Sequence, residues 1–283
     1  MINAFVDGGK GGNPAGVVLN ADGLTASQKQ EVAAKVGLSE TAFVSSSSVA
    51  DYKLEFFTPS RQIPHCGHAT IATFSYLSQQ GLIREKSSKE TIDGIREILL
   101  DGELAFMEQR APVYRSVEEK KAVILQSLGL QGSDLEEGAE MQVVDTGNSF
   151  LVVPVKSEGT LANLDLDMKA ISWISDYYGL VGFYVFCIPS QPEERDATAR
   201  MFAPAYGIPE ESATGMAAGP LACYLHNRMR SRKNRFLIQQ GSFMKHPSPS
   251  LLTVNLQVEN DRIIGLMVGG KGIATGSKTV SLQ

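Results

Sequence analysis

Two segments of this chain recur, in the same order, in its second half, and that recurrence limits the possible folds more than any other feature. Gly12-Asn13-Pro14-Ala15-Gly16-Val17-Val18 aligns with Gly147-Asn148-Ser149-Phe150-Leu151-Val152-Val153, keeping Gly, Asn and both Val at a constant offset. Phe57-Thr58-Pro59 aligns with Phe202-Ala203-Pro204. After a short slip, His65-Cys66-Gly67-His68-Ala69 aligns with Ala213-Thr214-Gly215-Met216-Ala217, and Tyr76-Leu77 with Tyr224-Leu225. Each match alone is within reach of chance, because Gly, Ala and Leu are common. Two matches in one order favour an internal duplication. A chain of 283 residues is long enough for two domains of about 100–200 residues each. The expectation is therefore two similar lobes, 1–118 and 119–283, related by a pseudo-twofold, with the final strand crossing back to the first. A cleft between such lobes would receive equivalent groups from both sides.

Local patterns repeat the plan. Thr25-Ala26-Ser27-Gln28 spells a capping box, and the helix it starts should stop at Gly37, which suits the left-handed position after a helix. Thr41–Val44 and Tyr52–Phe57 read as strands. From Gly67, the residues Ala69, Ile71, Ala72, Phe74, Tyr76 and Leu77 are apolar nearly all round, which predicts a buried helix closing near Gly81. In the second half, Phe183–Ile188 and Met201-Phe202 read as strands, and Gly215 opens an apolar helix through Leu225. Further strands are expected at Phe236–Gln239, Leu251–Val258, Ile263–Val268 and Lys278–Leu282. The polar stretch from Arg115 to Glu140 is read as a helical connection between lobes.

Composition excludes several classes of partner. The net charge of −5 repels phosphate backbones and anionic lipid, so neither nucleic acid nor a membrane is expected as a partner. The apolar run from Leu180 to Ile188 is too short to cross a bilayer and reads as a buried strand. Cys66, Cys187 and Cys223 make an odd number with no C-x-x-C, which fits a reducing cytoplasm and neither a disulfide framework nor a zinc site. No basic, apolar leader opens the sequence, so no signal peptide is expected. The Gly-rich run Gly8–Asn13 fails as a dinucleotide fingerprint because Pro14 stands where a glycine is needed, and no phosphate-binding P-loop or G-x-S-x-G elbow occurs. No cofactor and no metal are expected.

The chemistry then rests on two helix starts. A helix N-terminus exposes unpaired N–H groups and partial positive charge. Gly67 and Gly215 would let a ligand approach that backbone closely. Both tips would suit a substrate carboxylate, and the enolate-like charge that forms when a proton leaves the adjacent carbon. Candidate acids and bases near them are Glu40, His68, Glu211 and Cys66. Each has a plainer explanation. Glu40 reads more simply as a solvated turn carboxylate, and His68 equally as a hydrogen-bonded core histidine. Glu211 reads as a residue balancing the helix dipole, and Cys66 as packing rather than a low-pKa thiolate. Arg61 and Arg200 read either as substrate partners or as salt-bridge residues.

At these residues the sequence resembles the PhzF-like (phenazine-biosynthesis) family. The matching segments are Gly12–Val18, Leu38-Ser39-Glu40-Thr41-Ala42-Phe43, Phe57-Thr58-Pro59, Ile63-Pro64-His65-Cys66-Gly67-His68-Ala69-Thr70, Arg200–Pro204 and Ala213-Thr214-Gly215. Gln240-Gly241 and Gly269-Gly270 fit more loosely. The resemblance implies an α+β fold of two pseudo-symmetric, diaminopimelate-epimerase-like lobes, each an antiparallel sheet or barrel around a central helix. It implies a cofactor-independent isomerase, a homodimer, that moves a proton within a small carboxylate-bearing substrate. Glu40 would be the acid–base carboxylate, its pKa raised as the cleft closes, with His68 and Glu211 supporting proton delivery. Asn13, Cys66, Gly67, Thr214, Gly215 and Met216 would bind substrate.

Two departures stand out. Where the family reads Glu-Asp-Pro-Ala-Thr-Gly-Ser, this chain reads Glu210-Glu211-Ser212-Ala213-Thr214-Gly215-Met216. Glu211 is one methylene longer than the usual Asp, and Met216 replaces a small polar residue. Both argue against the phenazine intermediate as substrate. The related epimerases use two cysteines, and Cys66 with Thr214 occupies those places here. An amino-acid epimerase, racemase or hydroxyproline-type dehydratase using that pair is one rival reading. A catalytically silent ligand-binding protein is another.

Overall fold

Thr25 and Gln28 close the capping box that their spacing predicts. Thr25 Oγ1 accepts from the Gln28 amide at 3.3 Å, and Gln28 Oε1 accepts from the Thr25 amide at 2.9 Å. The helix so started ends on Gly37 at φ 74°, as its sequence position requires. The structure is a computed structural model that describes residues 1–190 and 194–282. The chain divides into two units, Met1–Glu108 with Gly269–Gln283, and Gln109–Val268.

The N-terminal unit contains β1 (Ile2–Ala4), β2 (Asn13–Val18), α1 (Ala26–Val36), β3 (Thr41–Ser45), β4 (Tyr52–Phe57), β5 (Gln62–Ile63), α2 (Gly67–Gln79), β6 (Lys86–Thr91) and β7 (Gly94–Asp101). The strand β8 (Leu104–Arg110) then leads out of it. β1 pairs antiparallel with β2, β2 parallel with β3, and β3 antiparallel with β4. β4 pairs antiparallel with β5 and parallel with β6, and β6 antiparallel with β7. The returning residues Ile273–Ala274 pair with β1.

The second unit begins with β9 (Val113–Ser116), α3 (Lys121–Ser127), β10 (Gln142–Asp145), β11 (Ser149–Pro154), α4 (Glu158–Ala162) and α5 (Met168–Tyr178). It continues with β12 (Gly182–Cys187), β13 (Ala197–Ala203), β14 (Ile208–Glu211), α6 (Gly215–Asn227), β15 (Arg235–Gln240), β16 (Ser250–Glu259) and β17 (Arg262–Lys271). Its pairings repeat those of the first unit. β10 pairs antiparallel with β11, β11 parallel with β12, and β12 antiparallel with β13. β13 pairs antiparallel with β14 and parallel with β15, and β15 antiparallel with β16. The sequence repeat is thus a repeat of topology. In each unit the first parallel pair is made by a crossover through an 11-residue helix ending on a left-handed glycine, Gly37 or Gly179. The second is made through a 13-residue helix starting at Gly67 or Gly215.

These two helix types differ in what they bury. α1 and α5 are amphipathic and cover one sheet face: Val32 and Ala33 pack on Phe43 and Phe57, while Ile171 and Ile174 pack on Phe183 and Phe202. α2 and α6 are enclosed, with ten residues buried in each. Small residues on every side let strands approach so closely; α2 packs on β1, β2 and β3, and α6 on β10, β11 and β16. Pro220 lies inside α6, where it removes one backbone donor.

Three sequence expectations need correction. Arg115–Glu140 is not a polar connection: α3 puts Ile124, Leu125 and Leu128 into the core of the second unit, and β9 pairs with β10 there. The chain therefore leaves the first unit at 108/109 rather than 118/119. Lys278–Leu282 forms no strand. Instead Lys278 Nζ caps the Lys35 carbonyl and Val280 packs against the α1 cluster.

Close packing also fixes the start of β3. Gly16 on β2 faces Thr41, and a methyl group added at Gly16 would lie 2.5 Å from Thr41 Oγ1. Thr41 is fully buried and β-branched, so it has little freedom to move aside. Gly16→Ala is expected to destabilise the protein by about 1–3 kcal/mol, measured by urea denaturation. Thr41→Ala in the same chain should recover part of that loss; an unchanged midpoint for Gly16→Ala would contradict this packing.

Candidate active site

In the N-terminal unit, two chain turns bring three reactive side chains together. After Gly37 ends α1, Leu38-Ser39 leads to Glu40, whose carbonyl accepts from the Gly16 amide at 3.0 Å. That bond fixes Glu40 at the edge of the β2–β3 pair. Cys66 is the N-cap of α2, and His68 lies in its first turn. His68 Nε2 is 3.2 Å from Glu40 Oε2, and His68 Nδ1 is 3.6 Å from Cys66 Sγ. All three residues are buried.

Burial and charge pull the ionisable groups of this trio in different directions. Burial pushes the Glu40 carboxyl up, but hydrogen bonding and charge from His68, with a further contribution from Ser39, outweigh it and leave the group below its ordinary value. The raised pKa expected for Glu40 is therefore not what this structure holds; its carboxylate is kept ionised. Burial pushes the Cys66 thiol up, and His68 only partly offsets this, so the low-pKa thiolate reading is overturned too. Glu40 and Cys66 thus lie nearest to different nitrogens of the His68 ring. Glu40 Oε2 is itself buried, so its contact with His68 is shielded from water.

The donor atoms of Glu40, Cys66 and His68 lie within 4.8 Å of one another. Among the described residues this trio is compact enough to hold a metal ion, an arrangement the sequence spacing did not reveal. Thiol, imidazole and carboxylate would suit zinc by donor type. Asn13 is buried at the start of β2.

Behind α2 lies a feature that sequence reading missed. Lys89 on β6 is fully buried. Its Nζ donates to Thr70 Oγ1 at 2.7 Å, and lies 3.4 Å from His65 Nδ1. Burial pushes its ammonium down to about 7. His65 is held well below its ordinary value, by burial and then by Lys89 and Arg96. The signal for Lys89 was hidden because the strand Lys86-Ser87-Ser88-Lys89-Glu90-Thr91 has no apolar alternation.

In the second unit, the helix start at Gly215 carries its own polar network. The Thr214 hydroxyl donates to Glu211 Oε2. Gln240 is fully buried and uses both ends of its amide: Oε1 accepts from the Thr214 amide at 3.1 Å and from the Tyr184 hydroxyl at 2.9 Å, while Nε2 donates to the Glu211 carbonyl at 2.7 Å. Gln109 Nε2 donates to the Gly215 carbonyl at 2.9 Å, and Gln109 Oε1 accepts from Thr146 Oγ1. Asn148, the repeat counterpart of Asn13, donates to Met216 Sδ at 3.4 Å. Gln240 was legible only as part of a loose Gln-Gly match, and Gln109 and Asn148 were not singled out. Arg200 is a structural pin: it grips Glu210 with two nitrogens at 2.8 and 2.9 Å and caps the Leu161 carbonyl. Arg61 is exposed.

Similarity to known proteins follows the same lines. The family model for phenazine biosynthesis-like proteins matches residues 2–277. An uncharacterized isomerase of Clostridium acetobutylicum is 34% identical, over 96% of this chain and 94% of its own. The trans-2,3-dihydro-3-hydroxyanthranilate isomerase of Pseudomonas chlororaphis is 28% identical, over 100% of this chain and 98% of its own. The crystal structure of a PhzF-family phenazine biosynthesis protein from Bacillus anthracis superposes with a TM-score of 0.84, at 28% identity, covering 96% of this chain and 94% of that one. The fold is the diaminopimelate-epimerase-like class, which also includes racemases of the proline type. Topology and these likenesses agree, and the chain belongs to the PhzF-like, phenazine-biosynthesis family of isomerases.

Proposed function

We propose that this isomerase moves a proton within a small carboxylate-bearing substrate by general acid–base catalysis, with Glu40 as the base. The observation that carries the reading is the buried, ionised Glu40 carboxylate 3.2 Å from His68 Nε2, beside the first turn of an enclosed helix. The first turn of α2, opening at Gly67, would hold the substrate carboxylate through its backbone N–H groups. Glu40 would take the proton from the neighbouring carbon, and those N–H groups would stabilise the charge left behind. His68 would pass the proton on, since its two ring nitrogens face different partners. For Glu211 we propose a supporting role in proton delivery, its carboxylate held by the Thr214 hydroxyl. No bound cofactor takes part in this scheme. The family resemblance supports a homodimer working in the cytoplasm.

A two-thiol racemase mechanism fits less well. Cys66 is a buried thiol with a raised pKa, and its repeat counterpart is the hydroxyl of Thr214. The relative from Pseudomonas chlororaphis is named for trans-2,3-dihydro-3-hydroxyanthranilate. That compound is the first substrate to try, followed by cyclic and amino-acid carboxylates, because Met216 and Glu211 reshape the polar groups at Gly215.

The assay is deuterium wash-in from heavy water. Glu40→Gln keeps the shape and removes the base, and should lower exchange by about 10²–10⁴-fold; undiminished exchange would eliminate Glu40 as the base. If the native chain exchanges no carbon-bound proton in any candidate, the silent binding protein becomes the better account. Cys66→Ser should retain exchange within about tenfold, whereas loss as severe as that of Glu40→Gln would restore the thiol mechanism.

The pH dependence follows from the sign of the Glu40 shift. His68 holds the carboxyl down, so the base form should persist to low pH in the native chain. His68→Gln leaves only the Ser39 hydrogen bond against burial and should move the acid limb of the kcat/KM profile to higher pH. A limb that stays in place would show that His68 does not set the ionisation of Glu40.

A further inference from the structure

The inward face of β6 is polar. Ser87, Lys89 and Thr91 are buried, while Lys86, Ser88 and Glu90 alternate with them on the more open face. Enclosing an ammonium is costly unless a counter-charge accompanies it. Lys29, the other buried lysine, has one in Glu55. Lys89 has instead the Thr70 hydroxyl, the neutral ring of His65, and the face of Phe56 with the ring centroid 5.3 Å away. None of these carries a negative charge, and with burial bringing its pKa to about 7 the amine is shared between charged and neutral forms near neutrality, donating in both. A methionine would fill similar space without the cost, so packing alone does not account for a lysine here.

The Thr70 hydroxyl shows where the charge is felt. It accepts from Lys89 and donates onward to the Cys66 carbonyl at 2.7 Å. The same carbonyl accepts from the Thr70 amide at 3.2 Å. In a trans peptide the N–H points opposite to the C=O. With the Cys66 carbonyl directed into α2, the Gly67 N–H is directed out of its first turn, where no intrahelical acceptor exists. Successive hydrogen bonds in such a chain polarise one another. A donor at Lys89 therefore makes the Gly67 N–H a stronger donor at the far end.

We propose that Lys89 is a positioning residue for the candidate active site: through Thr70 and the Cys66–Gly67 peptide it fixes the direction of the Gly67 N–H and strengthens it toward an anion. The proposal rests on the reading that this turn holds the substrate carboxylate. His65 from the loop before α2, Cys66 at its cap, Arg96 across from Lys89 on β7, and Asp93 in the β6–β7 turn share the electrostatic surroundings of the amine.

The test uses amide correlation spectra of the full chain, with benzoate as a small carboxylate probe. Lys89→Met and Thr70→Val should each move the Gly67 amide resonance upfield and weaken benzoate binding by about three- to tenfold. Thr70→Ser, which restores the hydroxyl, should return both to native values. Lys89→Met should melt no lower than the native protein, because it replaces a buried amine that has no counter-charge with an apolar side chain of similar size, so the change at Gly67 would not report unfolding. An unmoved Gly67 resonance in folded Lys89→Met would overturn the proposal. If that variant does not fold, the Thr70→Val and Thr70→Ser pair decides in the same way. Benzoate that leaves the native Gly67 and His68 amides unmoved would sink the carboxylate reading instead, while the shift comparison would still judge the coupling from Lys89 to Gly67.

Discussion

A helix wrapped by strands has only one place to expose its backbone, and that constraint organises each unit of this protein. α2 and α6 are buried on nearly every side, so their middle turns offer nothing to a ligand. Their first turns keep N–H groups that the helix itself cannot satisfy. Whatever polar chemistry the enclosed helices support must gather there. In the N-terminal unit Glu40, Cys66 and His68 do so. In the other, Glu211, Thr214 and Gln240 do so.

The two gatherings are built differently, although the strands around them match. The second is closed on itself: Gln240 ties Thr214, Glu211 and Tyr184 together, and its amide cannot turn without breaking several bonds. Such a saturated network holds a backbone in place. The first is held from behind, by the Gly16–Glu40 bond on one side and the Thr70–Cys66 bond on the other, while its side chains carry opposed shifts. Burial pushes the Glu40 carboxyl up; the neighbouring imidazole outweighs it and pulls the group down. Duplication supplied one scaffold twice, and side-chain chemistry then made the halves unequal.

Much of this was legible in the sequence because the signals were local. Thr25, Gln28 and Gly37 mark the ends of α1 by capping chemistry, and the all-round apolar pattern after Gly67 and Gly215 marks the enclosed helices. Glu40, Cys66 and His68 were candidates by position, but their mutual distances depend on the parallel pairing of β2 with β3, which periodicity does not reveal. The sign of the Glu40 shift was misjudged for the same reason: it depends on one contact with His68 rather than on burial. The strand holding Lys89 was overlooked because inward positions were assumed to be apolar. The segment from Arg115 to Glu140 misled in the opposite way, since a few buried residues among many charged ones suffice to dock α3.

One consequence concerns the order in which the protein can be completed during synthesis. β1, the first strand made, pairs with Ile273–Ala274, which emerge after nearly all the rest. The stretch 109–268 is contiguous, whereas the unit that includes Glu40 and His68 is assembled from both sides of it. On the ribosome the later-encoded unit has all its strands while the earlier one still lacks an edge partner. A nascent chain stalled before residue 269 would thus present β1 with an open backbone ladder, the kind of edge that recruits chaperones or stray strands.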